Sequence, residues 1–193
     1  MTPTVTGLRE RKRDRVAVEL DGRPWRILPT DAVVRVGLAV GRPLDRRAAR
    51  DLAREVRCAR ALAGATRTLA TSGRSRGELE QRLVRAGHAR EAREEALATL
   101  DRAGLVDDLR LAQARADVMA RRGYGDAAIR ADLRKRLIPS EALVEALSTL
   151  EPELDRAQRH LGGAPPTAKT MRRLVGRGFS RETLEEIGSA FAQ

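Results

Sequence analysis

Residues 75–108 read SRGELEQRLVRAGHAREAREEALATLDRAGLVDD, and the spacing of their apolar positions decides the fold. Ser75 and Glu78 stand at the S-x-x-E spacing of a capping box, in which hydroxyl and carboxylate each satisfy a backbone N–H left without a partner at a helix start. Leu79 and Leu83 then fall on one face of that helix. After Gly87 a second helical pattern turns Ala92, Ala96, Leu97 and Leu100 to one side. It stops at Gly104, a residue that accepts the left-handed backbone closing a helix. The stretch predicts two short amphipathic helices.

The same spacing returns twice downstream. Ile129, Leu133, Ala142, Ala146, Leu147 and Leu150 match at a constant shift with no gap. Thr170, Leu174, Thr183, Ile187, Gly188 and Phe191 match again, with Phe179 where the second copy has Ile138. A further helical stretch precedes each copy, at 46–70, 108–122 and 152–161, the last opened by Pro152 at a tolerated first-turn position. The reading is therefore three-helix units over 46–106, 107–151 and a degenerate 152–193. Units this small bury little area alone, so successive copies are expected to pack on one another. Gly162-Gly163-Ala164-Pro165-Pro166 reads as a joint before the last two helices.

Upstream, residues 1–45 have a different character. Arg9, Arg11, Lys12, Arg13 and Arg15 make a basic entry segment. Val16, Val18 and Leu20 then alternate with Ala17 and Glu19, and Asp21-Gly22 supplies a type I′ turn, so a hairpin is expected. With that pair as the loop, Val18 faces Trp25 and Val16 faces Ile27. Pro24 falls opposite Glu19, which marks an edge or an irregular start. A short helix over 30–36 ends at Gly37. Asp45 caps the helix over 46–70, in which Gly64 is a weak point. The expected fold is mainly α, with tandem three-helix units in an elongated array preceded by a small N-terminal β-hairpin region.

Composition restricts the function. Of 193 residues only 2% are aromatic, with one Trp, one Tyr and two Phe, so the core is aliphatic and suits small helical units. The single Cys58 makes neither an internal disulfide nor a cysteine metal site, and a reducing, cytoplasmic setting is expected. The N-terminus lacks the apolar core of a signal peptide, and no apolar run approaches membrane-span length. Lys and Arg number 38 against 27 acidic residues, a net charge of +11 that favours polyanions or an acidic protein surface. Nearly all these cations are Arg and Ala is abundant, so GC-rich codon bias is the alternative source of the excess.

No nucleophile with its base, phosphate-cradling loop or metal-ligand spacing is present, so no catalytic, metal or cofactor site is expected. Asp107-Asp108 follows Gly104-Leu105-Val106 just ahead of a helix, where capping is preferred over acid/base or metal chemistry. His88 and His160 read as surface residues at helix ends. Asp126 reads as an N-cap. Tyr124, beside Arg121 and Arg122, reads as packing at a helix junction rather than as a lone stacking platform for a base. The middle helix of each unit is basic: Arg76, Arg82 and Arg85, then Arg130, Arg134, Lys135 and Arg136, then Arg172, Arg173 and Arg177, and Arg74, Arg121 and Arg122 complete the candidate basic face for a partner or nucleic acid. Arg82 aligns with Arg173, Arg85 with Lys135, and Arg136 with Arg177. Each alone is as consistent with a solvated helix face as with binding; recurrence in register favours a shared basic track.

These residues resemble the RecX family of bacterial recombination regulators. The resemblance is carried by Arg74-Ser75, Glu78-Leu79, Leu83, Gly87, Leu100, Gly104-Leu105-Val106-Asp107-Asp108 and Leu111-Ala112. The hairpin from Arg15 to Gly22, the short helix and Gly41 look like the N-terminal extension of some members. Leu111 stands where an aromatic is common, and Leu137 where a glycine is common, changes expected to be tolerable in a helix. The resemblance implies a cytoplasmic, non-enzymatic regulator of DNA repair and the SOS response. It implies binding to the RecA filament, lowering ATPase, strand-exchange and coprotease activities. The alternative is direct binding of single- or double-stranded DNA through the basic helices. A monomer with no membrane partner is expected.

Overall fold

In the computed structural model, which describes residues 2–162 and 165–190, the N-terminal alternation folds into three antiparallel strands, β1 (Val5–Arg11), β2 (Arg15–Leu20) and β3 (Arg23–Pro29). β1 corrects the reading of that stretch as a basic entry segment. Val5 is fully buried, and the segment pairs with β2 from Arg11 opposite Arg15 to Leu8 opposite Val18. Its exposed charges suit an edge strand, where they oppose further pairing, and they masked the strand in the sequence.

The register of β3 departs from the expected hairpin at one residue. Glu19 does face Pro24, but Val18 then pairs with Arg26 and Val16 with Leu28, so the expected Val18–Trp25 and Val16–Ile27 pairs do not form. Pro24 has no N–H for the ladder, and Trp25 is the extra residue of a bulge beside it. A one-residue slip exchanges the faces of a strand. Leu28 is consequently buried, while Trp25 and Ile27 remain 37% and 54% exposed.

Helix α1 (Thr30–Val36) closes on Gly37 in the left-handed region, and α2 (Arg46–Leu69) starts at Asp45, whose carboxylate accepts the Ala48 N–H at 2.7 Å. The helix continues through Gly64. Val5, Val16, Val18 and Leu28 of the sheet form one core with Ala32 and Val33 of α1 and Leu52 and Val56 of α2. Each such Leu or Val contributes about 1.5–3 kcal/mol through burial.

The remaining described helices are α3 (Arg76–Arg85), α4 (Arg90–Arg102), α5 (Asp108–Arg121), α6 (Asp126–Lys135), α7 (Ser140–Ser148), α8 (Glu153–Leu161), α9 (Ala168–Gly176) and α10 (Arg181–Ala190). The fold is thus mainly α with a small antiparallel sheet. The chain forms two compact units, Met1–Ser72 with Leu79–Leu105, and Gly73–Glu78 with Val106–Gln193. In the first, α2 packs along α4. In the second, α5, α6 and α7 share a core of Ala112, Ala116, Ile129, Leu133, Leu143 and Ala146, and α8, α9 and α10 share Ala157, Leu174, Phe179 and Ile187. The alanines at 112, 116 and 146 let α5 and α7 approach closely. Gly163 and Ala164 of the expected joint, and Phe191 of the third repeat, lie outside the described residues.

Candidate functional site

The start of α3 forms the expected capping box. Ser75 Oγ accepts the Glu78 N–H at 3.0 Å, and Glu78 Oε2 accepts the Ser75 N–H at 3.2 Å. Ser75 is fully buried, and its hydroxyl is satisfied there by donating to the Arg136 carbonyl. Asp107 accepts the Arg110 N–H at 2.9 Å and caps α5, whereas Asp108 accepts the Arg76 N–H at 2.8 Å and so serves the start of α3. Adjacent carboxylates therefore hold the positive ends of different helices.

Next to this box, a Cβ on Gly77 would lie 2.5 Å from Leu137 Cβ. Leu137 has φ 58°, so it occupies the left-handed turn after α6 and is not a helical residue as expected. A glycine would adopt that conformation without the Cβ penalty.

An equivalent junction recurs further along the second unit. Positions Ser75, Arg136 and Leu137 are replaced there by Gly125, Arg177 and Gly178. The Gly125 N–H donates to the Arg177 carbonyl at 2.9 Å, and the Ala127 N–H to the Gly178 carbonyl at 3.0 Å. A Cβ on Gly125 would strike the backbone of Gly178 and Phe179. Gly125, not Asp126 as expected, is the N-cap of α6. Asp126 is drawn into the helix because its carboxylate accepts from Arg156 and its N–H donates to Glu153 at 2.6 Å.

Arg156 and Glu153 form a polar centre not identified from the sequence. Arg156 is 6% exposed and also donates to the carbonyls of Tyr124 and Glu151, each at 3.0 Å. Glu153 accepts from the Ser180 N–H at 3.1 Å and the Thr183 hydroxyl at 2.8 Å. Burial acts to raise the Glu153 carboxyl, but the hydrogen bonds from Ser180, Asp126 and Thr183 outweigh it and hold the group below its ordinary value. No local spacing announced this centre, because its partners Asp126 and Thr183 lie on other helices.

Tyr124 packs at this junction, as preferred from the sequence. The Arg177 guanidinium lies 5.7 Å from its ring centre and donates to the Arg122 and Gly123 carbonyls at 2.6 and 3.2 Å. His160 is not the simple surface residue expected. It is half-buried, and burial, followed by the charges of Arg177 and Arg173, depresses its pKa.

The basic positions divide by role. Arg76, Arg82 and Arg85 of α3, Arg121 and Arg122 at the end of α5, Arg134 and Lys135 at the end of α6, and Arg172 and Arg173 of α9 are exposed. Arg74, Arg130, Arg136 and Arg177 are half-buried. Arg74 pairs with Glu78 at 3.2 Å and Arg136 with Asp132 at 3.4 Å, so these side chains also hold the fold. Among the described residues no group of three or more His, Cys, Asp or Glu is arranged to hold a metal, and no helix is long and apolar enough to cross a membrane. The arrangement offers cationic contacts.

No family model matches the chain. It is 36% identical over 135 residues to regulatory protein RecX of Chlorobaculum tepidum, a match spanning 84% of that protein and 65% of this chain. The chain belongs to the RecX family. Against a regulatory protein RecX of Thermus thermophilus, identity is 38% over 123 residues, covering 83% of that protein and 62% of this chain. A crystal structure of regulatory protein RecX matches with a TM-score of 0.81 at 21% identity, covering 97% of this chain and 99% of that one, so the RecX fold extends over nearly the whole sequence.

Proposed function

We propose that this protein regulates the RecA recombinase by binding its filament and lowers its ATPase, strand-exchange and coprotease activities. Membership of the RecX family, whose members are named regulatory proteins, is the observation that carries the reading. The setting is cytoplasmic DNA repair and the SOS response, and the acting species is a monomer without cofactor. The repeating elements are the three-helix units at 46–106, 107–151 and 152–193, following the N-terminal segment of residues 1–45. Their exposed cations Arg82, Arg85, Arg134, Lys135, Arg172 and Arg173 supply contacts to acidic surfaces of the filament. Repetition lets several weak contacts act together on successive protomers.

Crosslinking mass spectrometry on the protein bound to RecA filaments tests this reading. Crosslinks should concentrate near the exposed basic positions, and absence of a complex at stoichiometric excess sinks it. A second reading, favoured by the same exposed cations, is direct phosphate contact with DNA. It requires binding without RecA and a log–log salt slope of about −0.7 per phosphate contact on a single strand.

A further inference from the structure

The exposed cations of the middle helices leave another basic surface unassigned, within the N-terminal unit. Arg46, Arg50, Arg57, Arg60 and Arg67 recur along α2 at spacings of four, seven, three and seven, which places them on one helical face. All are exposed. Beside this stripe Arg54 is neutralised, pairing with Glu55 at 2.8 Å and Glu91 at 3.3 Å. Among the described residues Arg57 and Arg60 have no hydrogen-bond or ion-pair partner. An ordinary solvated face, laced with opposite charges, does not look like this.

The bulge in β3 sets the chain's single Trp beside that stripe. Trp25, Ile27, Ala53, Arg57 and Arg60 line an open groove between β3 and α2, with no acidic side chain in its wall. A second groove shares Arg60 and continues past Arg15 to Arg67, with Asp14 and Asp31 as its acidic members. The Arg26 guanidinium lies 5.3 Å from the centre of the Trp25 ring, which remains 37% exposed. A buried Trp25, as in the unbulged hairpin, would have left an ordinary basic helix. The slip of register instead presents an indole and unpaired guanidinium groups to one groove, the combination that holds a stacked base and its flanking phosphates.

We propose that the groove between β3 and α2 is a binding site for single-stranded nucleic acid, in which Trp25 stacks on an unpaired base and Arg57 and Arg60 contact the phosphodiester backbone. The proposal goes beyond regulation of RecA and requires none to be present, so its failure leaves that reading standing.

The experiment titrates the full-length protein, without RecA, with oligothymidylate while following Trp25 fluorescence and the anisotropy of a labelled oligonucleotide. The wild type should show quenching that saturates with the anisotropy and weakens with salt. Arg57→Gln/Arg60→Gln should flatten the log–log salt slope by about 0.7 for each contact removed. Trp25→Ala should weaken binding about fivefold to a hundredfold, the range of one base stack. Arg134→Glu/Lys135→Glu should keep the Trp25 quenching. An oligouridylate arm distinguishes RNA from DNA; stacking and salt dependence on either supports the site. Oligonucleotide binding without a Trp25 signal, wild-type affinity in the Arg57/Arg60 variant at unchanged Tm, equal quenching by polyglutamate, or no binding at low salt would overturn the proposal.

Discussion

Gly125 and Gly176 differ in what surrounds their missing side chains. A methyl group on Gly125 would meet the backbone of Gly178 and Phe179, which has no flexible end to move aside, whereas nothing lies within 4 Å of a Cβ on Gly176. Gly125→Ala should therefore cost about 1–3 kcal/mol, and Gly176→Ala should gain about 0.5–1 kcal/mol, measured by urea unfolding. Glu153 makes a pH-dependent contribution. Its carboxyl is held below its ordinary value, so the stabilisation is fully present above about pH 4.3 and is lost as pH falls through the folded-state value. The stability difference between wild type and Glu153→Gln should consequently be larger at about pH 6 than at about pH 3. Equal differences at both pH values would remove this role. The Ser75–Glu78 box was legible because its partners are three residues apart. Glu153 and Arg156 were not, because their partners Asp126 and Thr183 are brought to them only by packing of separate helices.

At the scale of elements, Asp107 and Asp108 stabilise the starts of α5 and α3 respectively. Replacing either with Ala should lower stability by about 1 kcal/mol and leave the proposed RecA inhibition unchanged in folded protein. Loss of inhibition without loss of stability would assign the pair to binding instead. The helices were legible because their apolar residues recur at helical spacing and their starts carry local caps, as at Asp45, Ser75 and Asp107. The strands were harder. β1 carries exposed charge through Arg9, Glu10 and Arg11, which resembles a solvated basic segment when its neighbour β2 is not in view. The proline that signalled irregularity in β3 did not show on which side the extra residue would fall, and that choice decides whether Trp25 or Leu28 enters the core. Of the candidate face, the basic positions were readable, but not the division between exposed Arg134 and Lys135 and the packing roles of Arg136 and Arg177.

For the whole molecule, a fold of small helical units with exposed cations gives a regulator many modest contacts. Reversing Arg82, Arg134, Lys135 and Arg173 together should weaken filament binding by at least about tenfold while each unit remains folded, because the change removes shared electrostatic attraction and leaves the cores untouched. Retained affinity would make those cations a solvated surface. The most direct test of RecA regulation is DNA-dependent ATP hydrolysis by the cognate RecA, followed as this protein is titrated into preformed filaments. Hydrolysis should fall progressively and saturate at or below stoichiometric ratio; hydrolysis unchanged at stoichiometric excess would contradict regulation of RecA by this protein.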